Sequence, residues 1–359
     1  MKLLLHGAIN LSNFGDYLFA KIFYDYIKDR GQDVDFYTHP QYGISSFFRR
    51  HLGYHMREKN CKLLMAKSDA LIFIPGGYFV NSSKKGLLSQ LRHIKRYLFP
   101  ALYFMKKKKP IYILGVGAGP FNNSLFSCLA RKIMNYATVV YVRNEESKKY
   151  CLELGVTTDI KVTTDTAILI ENYMKDEPQS FSPFVKPAGQ KALMLHVNGD
   201  AQTRGMMFNN VIPAIEEFLS NHTEYQLYLA ADGMRMEKAY KEYAAALSKY
   251  NPISFEYDDP MQLCQRISQM DIVVTPKLHV GIVSSVLGKS VLSFPVVPQK
   301  TQRFYRQIGE QDRCIPLADV TPVEVLKLLE EKKNSYISVS SELKSLAYEN
   351  LKALPMKEG

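Results

Sequence analysis

The sequence has no tryptophan, few cysteines and no apolar run that approaches the ~20 residues a membrane span needs. The five cysteines, Cys61, Cys128, Cys151, Cys264 and Cys314, are scattered and include no CxxC pair. That argues against a disulfide framework or a zinc site and for a reducing, cytoplasmic setting. The opening MKLLLHGAIN lacks the length and cleavage site of a signal peptide and reads as a first buried strand. No internal repeat is visible, and the tract KKKK (106–109) is the one stretch of low complexity. Acidic residues are scarce in one region: residues 49–132 hold 17 basic residues but only Glu58 and Asp69 as acids. The net charge of +11 lies wholly in residues 1–180, with 26 basic residues against 15 acidic, while residues 181–359 balance at 20 each. A local excess of this kind attracts anions. The candidates are nucleic acid, an anionic membrane surface or a phosphorylated substrate, against a merely solvated basic face. No nucleic-acid module and no basic-aromatic sheet signature is present, so nucleic acid is not expected as a partner.

What is present is an alternation. Continuous apolar runs occupy 2–7, 34–38, 70–75, 111–116, 138–143 and 159–164, then 191–197, 225–231, 253–257, 271–276 and 290–295. Helix-length amphipathic stretches lie between them, for example 16–30, 206–221, 234–250, 260–269 and 279–287. Apolar strands alternating with helices predict an α/β protein with parallel sheets covered on both faces. Between the two series, residues 174–190 carry three prolines and no apolar period, the composition of a linker. The expectation is two Rossmann-like domains over 1–180 and 188–335 facing a central cleft, with a C-terminal helix in 336–359 packing back on the first domain. Ligands in such sheets sit at strand carboxyl ends beside helix N-termini.

Five stretches fall at such ends. In NLSNFGDYLFAKIF (10–23), Asn13 and Asp16 suit a helix cap or a polar contact to a sugar hydroxyl. In IFIPGGYFV (72–80), Gly76 and Gly77 suit a close approach to the backbone or a turn. ILGVGAGPF (113–121) has GxGxG followed by proline rather than GxGxxG, and no acidic residue ~20 positions on, so NAD binding is rejected. In VYVRNEES (140–147), Arg143 ends a strand where it can grip a carboxylate or phosphate, or pair with Glu145 or Glu146, and Ser147 opens a helix. In TPKLHVGIVSSVLGKSV (275–291), Lys277 and His279 stand at a strand-to-helix junction, where helix amides favour anions and an imidazole can move a proton. Gly281, Ser284 and Ser285 are expected to leave that helix's amides approachable, and Lys300 and Arg303 follow the next strand as further anion contacts. The loop 38–60, with His39, His51 and His55, carries no readable pattern.

Taken in order, the motifs NxxNFGD, IPGG, GVGAGP, VRNEES, TTDTA, KLHVGI and KxxxF resemble those of the polysaccharide pyruvyltransferases over residues ~1–310. The resemblance implies a GT-B-like fold, with the acceptor on the N-terminal domain and the donor on the C-terminal one. It implies transfer of the pyruvyl unit of phosphoenolpyruvate to a sugar as a ketal, with release of phosphate and with no cofactor or metal. It also implies His279 as proton donor, Lys277 and Arg143 as holders of the donor's anions, and Asp16 as assistant to the attacking hydroxyl. The family commonly carries arginine where this chain has Lys277. The segment 87–109 mixes apolar residues with Arg92, Lys95, Arg96 and Lys106 to Lys109. It reads either as a membrane-surface helix serving a polyprenyl-diphosphate-linked acceptor or as a core helix with a basic outer face. The rival function on the same fold is a nucleotide-sugar glycosyltransferase. HVGIVSSVLG lacks the carboxylate such enzymes use for the ribose.

Overall fold

In the computed structural model, which describes the chain apart from residues 10–11, 38–42, 57, 82–86, 123, 175–183 and 357–359, all eleven apolar runs form strands. Asn10, His39 and most of the linker stretch therefore lie outside the described residues. The first part of the chain holds β1 (Lys2–His6), β2 (Asp33–Phe36), β3 (Ala70–Phe73), β4 (Phe79–Asn81), β5 (Ile111–Val116), β6 (Ala118–Phe121), β7 (Val139–Val142) and β8 (Ile160–Val162). Six of these build one parallel sheet in the order β2-β1-β3-β5-β7-β8. The second series gives β9 (Lys191–His196), β10 (Tyr225–Ala230), β11 (Ile253–Phe255), β12 (Ile272–Thr275) and β13 (Ser290–Ser293). They form a second parallel sheet, ordered β11-β10-β9-β12-β13. The central strands are buried on both faces, as in Leu3 to Leu5 and Ile272 to Val274, which is why their sequences run apolar without alternation.

β4 and β6 were not anticipated. They pair only with each other, and the glycines and proline around them give no strand signal. The expected single helix over 206–221 is also corrected. It is two helices, Ala201–Asn210 and Ile212–Asn221, because Pro213 lacks the N–H an interior turn needs and opens the second one.

The chain divides into two compact units, Met1–Leu169 with Glu342–Gly359, and Ile170–Ser341. The C-terminal helix Ser341–Lys352 thus belongs with the first sheet. Its fully buried Asn350 accepts a hydrogen bond from Thr163 Oγ1 at 3.1 Å and donates to the Ala347 carbonyl at 3.1 Å. Glu349 pairs with Lys161 at 2.7 Å beside it. In each sheet the order reverses once, between β1 and β3 and between β9 and β12. Doubly wound sheets open a crevice at such a switch point.

The basic segment proves to have two faces. Its helices, Leu87–His93, Ile94–Leu98 and Phe99–Lys106, bury Leu98, Ala101 and Phe104 in the core of the first unit. They also leave Leu88 71%, Leu91 43% and Phe99 41% exposed next to exposed Arg92 and Lys95. No helix among the described residues is long and apolar enough to cross a membrane.

Candidate functional site

In the second unit the chemistry collects where β9, β10 and β12 end. Lys277 is the N-cap residue of the helix Leu278–Val286, in extended conformation (φ −108°, ψ 130°), with its own amide donating to Thr275 Oγ1 at 3.0 Å. Among the described residues no side chain caps this helix, and a helix N-terminus favours negative charge. A pocket of about 480 Å³ opens there, and Asn198, Thr203, Lys277, Val297, Lys300 and Thr301 are among its lining residues. Three helices begin at its wall: Ala201–Asn210, Leu278–Val286 and Pro298–Gln307. Asp200 also lines it but is spent on capping, accepting from the Thr203 amide at 2.8 Å and hydroxyl at 2.7 Å. Those bonds, with the charges of Lys277 and Arg204, hold its carboxyl below the usual range.

His279 is half-buried in the first turn of the helix that Lys277 opens. Two polar residues at the same end of this sheet were missed by sequence reasoning. His196 ends β9, is fully buried, and its Nε2 lies 3.3 Å from Asp232 Oδ1. Burial pushes the Asp232 carboxyl up. The contact with His196, with the electrostatic influence of Lys277 and His279, outweighs that and holds it below its ordinary value. The available signal was a lone polar residue closing each apolar run, as in KALMLH and YLAAD. The expectation that Gly281, Ser284 and Ser285 admit a ligand is corrected. All three are buried. A Cβ at Gly281 would stand 2.9 Å from the Tyr305 hydroxyl. The two serines donate to the carbonyls of Val280 and Gly281 at 2.8 Å each. Their small size serves packing within the unit.

In the first unit, Asn13 caps the helix Phe14–Lys28 by accepting from the Asp16 amide at 3.1 Å, leaving the Asp16 carboxylate half-buried in the first turn. Gly77 is exposed, but Gly76 is buried, and a Cβ there would meet the Tyr78 ring at 2.3 Å. The glycine makes room for an aromatic ring of its own chain rather than for a ligand. Tyr78 is 2% exposed and its hydroxyl has no hydrogen-bond partner. Burial first, then the Asp16 carboxylate and Tyr97, raise its pKa well above 10, with Arg143 opposing. Tyr78 is thus a neutral phenol beside both groups. Arg143, 8% exposed, pairs with Asp165 Oδ2 at 3.5 Å. Asp165 follows β8, the neighbour of β7, so the sheet delivers the partner that local sequence could not. Gly117 packs against the guanidinium, where a Cβ would lie 2.8 Å from Nη2. Ser147 is 1% exposed, and its Oγ accepts from the Ala118 amide at 3.1 Å. It ties the helix Glu145–Glu153 to β6 instead of facing solvent.

Burial pushes the Cys151 and Cys314 thiols up to about 12, which removes them as nucleophiles near neutral pH. Among the described residues no three His, Cys, Asp or Glu side chains converge as a metal-ligand set.

Two parallel-sheet units with polar groups at strand carboxyl ends define a GT-B-like protein, and solved structures agree. The chain is similar to the UDP-GlcNAc 2-epimerase of Neisseria meningitidis, solved with UDP-GlcNAc bound (TM-score 0.61, 14% identity, covering 98% of this chain and 99% of that one). It is likewise similar to the UDP-GlcNAc 2-epimerase of Methanocaldococcus jannaschii (TM-score 0.63, 14% identity, 97% and 98% covered). The sequence profile of the polysaccharide pyruvyl transferases matches residues 13–296, and the chain belongs to that family. A curated relative is the amylovoran biosynthesis protein AmsJ of Erwinia amylovora, 24% identical over an alignment of 248 positions that covers 61% of this chain and 55% of AmsJ. The match thus spans about half the length of that relative.

Proposed function

We propose that the protein transfers the pyruvyl group of phosphoenolpyruvate to a sugar of a surface-polysaccharide precursor, forming a pyruvate ketal and releasing phosphate. The observation that carries this is the second unit's pocket. It offers Lys277, Lys300 and helix N-termini to a small molecule with two anionic groups, within a chain of the pyruvyl transferase family. His279 delivers a proton to the methylene carbon of the enol, which makes the neighbouring carbon electrophilic. One sugar hydroxyl then bonds to that carbon and gives up its proton, for which Asp16 is the assigned base. A second hydroxyl bonds to the same carbon as the carbon–oxygen bond to phosphate breaks. Of the two hydroxyl protons, one replaces the proton spent on the methylene and the other leaves with phosphate. Arg143 contributes positive charge toward the substrates' carboxylate or phosphate.

The test is phosphate release from phosphoenolpyruvate in the presence of a lipid-linked oligosaccharide extract, with mass spectrometry of the product. Acceptor-dependent phosphate release with a pyruvylated sugar is expected, and no release at any acceptor concentration would overturn the reading. The epimerase likeness motivates a second reading, a nucleotide-sugar-dependent glycosyltransferase. Thermal stabilisation by UDP, with none by phosphoenolpyruvate, would favour it.

The exposed Leu88, Leu91 and Phe99 beside Arg92 and Lys95 support docking of the first unit on an anionic bilayer that carries a polyprenyl-diphosphate-linked acceptor. The protein is expected to float with phosphatidylglycerol vesicles at low salt, and Leu88→Glu/Leu91→Glu to lose most of that binding. Sedimentation of the wild type away from such vesicles would remove the membrane partner.

A further inference from the structure

We propose that a pocket at the amino end of β2 is a saccharide-binding site, separate from the groups gathered at the strand carboxyl ends. In the unit that carries Asp16, the bound sugar is a part of the acceptor that does not react. That last step alone rests on the pyruvyl-transfer reading.

β2 is an edge strand of the first sheet. Its first two residues, Asp33 and Val34, line a pocket of about 470 Å³ together with Tyr24, Lys28, Tyr54 and His55. A volume of that size is in the range of small-molecule sites. Parallel sheets place their chemistry at strand carboxyl ends, and this pocket lies at the opposite end. Asp16 stands in the first turn of the helix Phe14–Lys28 and Lys28 closes it, twelve residues on and about 18 Å along the axis.

Part of the wall is aromatic and held in place. Tyr24 stacks on Phe36 with ring centroids 5.6 Å apart, and Tyr54 meets both rings edge-on, Phe36 at 5.1 Å and Tyr24 at 6.0 Å. The Tyr54 hydroxyl donates to Asp35 Oδ1 at 2.6 Å, and Lys2 Nζ lies 2.7 Å from Asp35 Oδ2. That hydroxyl is thus spent, and Tyr54 offers the pocket a fixed ring. At Gly31 and Gly53, which also line it, φ is +65° and +57°, and a Cβ would meet nothing within 4 Å. The chain turns at both and leaves bare backbone open to a ligand. Lys28, Asp33 and His55 are exposed. The Lys28 ammonium lies 5.7 Å from the Tyr24 centroid.

Charge selects the class of ligand. The lining carries one lysine and one aspartate, and the helix Phe14–Lys28 reaches it by its C-terminus, the negative end of the dipole. That end disfavours phosphate, so a nucleotide or phosphoenolpyruvate is the wrong occupant. Aromatic rings, a carboxylate acceptor, an ammonium donor and an imidazole suit a neutral molecule with an apolar face and hydroxyls at its edge, which describes a sugar. His55 thereby gains a use that the sequence of its loop does not show.

The experiment titrates the whole chain with methyl glucoside, methyl galactoside and methyl N-acetylglucosaminide, and separately with UMP and inorganic phosphate, reading backbone ¹H–¹⁵N spectra. At least one glycoside is expected to bind with a millimolar dissociation constant and to shift the Gly31 and Gly53 amides. Asp33→Ala and His55→Ala, both at exposed positions, are each expected to weaken it about 10-fold. Tyr24→Leu, which keeps an apolar side chain against Phe36 and loses the ring, is expected to do the same. No binding by any of the three glycosides, an affinity unchanged in Asp33→Ala and His55→Ala, or tighter binding of UMP or phosphate at the same amides would each overturn the proposal. With a lipid-linked oligosaccharide, Asp33→Ala is expected to raise the acceptor KM about 10-fold. An unchanged KM beside weakened glycoside binding would remove the acceptor role and leave the saccharide site. Should the wild type release no phosphate from phosphoenolpyruvate while a glycoside still binds, the pyruvyl-transfer reading falls and the saccharide site stands.

Discussion

His279→Gln is expected to lower kcat for pyruvyl transfer by about 10³-fold while leaving phosphoenolpyruvate affinity within a few-fold of wild type. The enol of phosphoenolpyruvate is not electrophilic at the carbon bearing phosphate until its methylene takes a proton. Glutamine preserves a polar side chain of similar reach but has no proton to give near neutral pH. The groups assigned to the donor's anions, Lys277, Lys300 and the uncapped amides of the helix Leu278–Val286, are untouched. The loss therefore belongs in kcat and not in binding. Phosphate release at saturating acceptor gives the rate, calorimetry gives the affinity, and an unchanged melting temperature shows that the unit remains folded. A residual rate within 10-fold of wild type would remove His279 as the acid. A loss of affinity as large as the loss of rate would make it a binding residue instead.

The central strands were legible because they are buried on two faces, and two-sided burial writes a continuous apolar run. The placing of Lys277 and His279 at a strand-to-helix junction was legible for a related reason: they stand directly after such a run. What could not be read is whatever depends on the order of strands rather than on their existence. Arg143 invites pairing with the next two acids in the chain, and it pairs with Asp165, 22 positions on, because β8 lies beside β7. Asp232 reaches His196 in the same way, through the pairing of β10 with β9. Glycines misled for a third reason. Gly76 and Gly281 signal that something comes close to the backbone, but sequence does not say whether it is a substrate or, as here, Tyr78 and Tyr305.

Asp165→Leu is expected to destabilise the protein by about 3–5 kcal/mol, because it takes a carboxylate away from the buried Arg143 guanidinium, which is 8% exposed. It also removes the acceptor of the Ala167 amide, 3.1 Å from Asp165 Oδ1. Arg143→Met in the same chain removes that buried charge, and a buried pair replaced by apolar residues of similar volume is often neutral in stability. The double variant should therefore recover most of the melting temperature that the single one loses. Activity separates two roles for Arg143 at that point. If the arginine serves only to bury Asp165, stability and turnover return together. If its charge acts on the substrates, as proposed, the double variant is stable and still slower than wild type by about 100-fold, the 2.7 kcal/mol scale of a charge-assisted hydrogen bond lost in the transition state. Chemical denaturation and phosphate release on the four corners of this cycle decide it. Full recovery of turnover in Arg143→Met/Asp165→Leu would take Arg143 out of the proposed mechanism and leave the cations of the second unit to hold the donor alone.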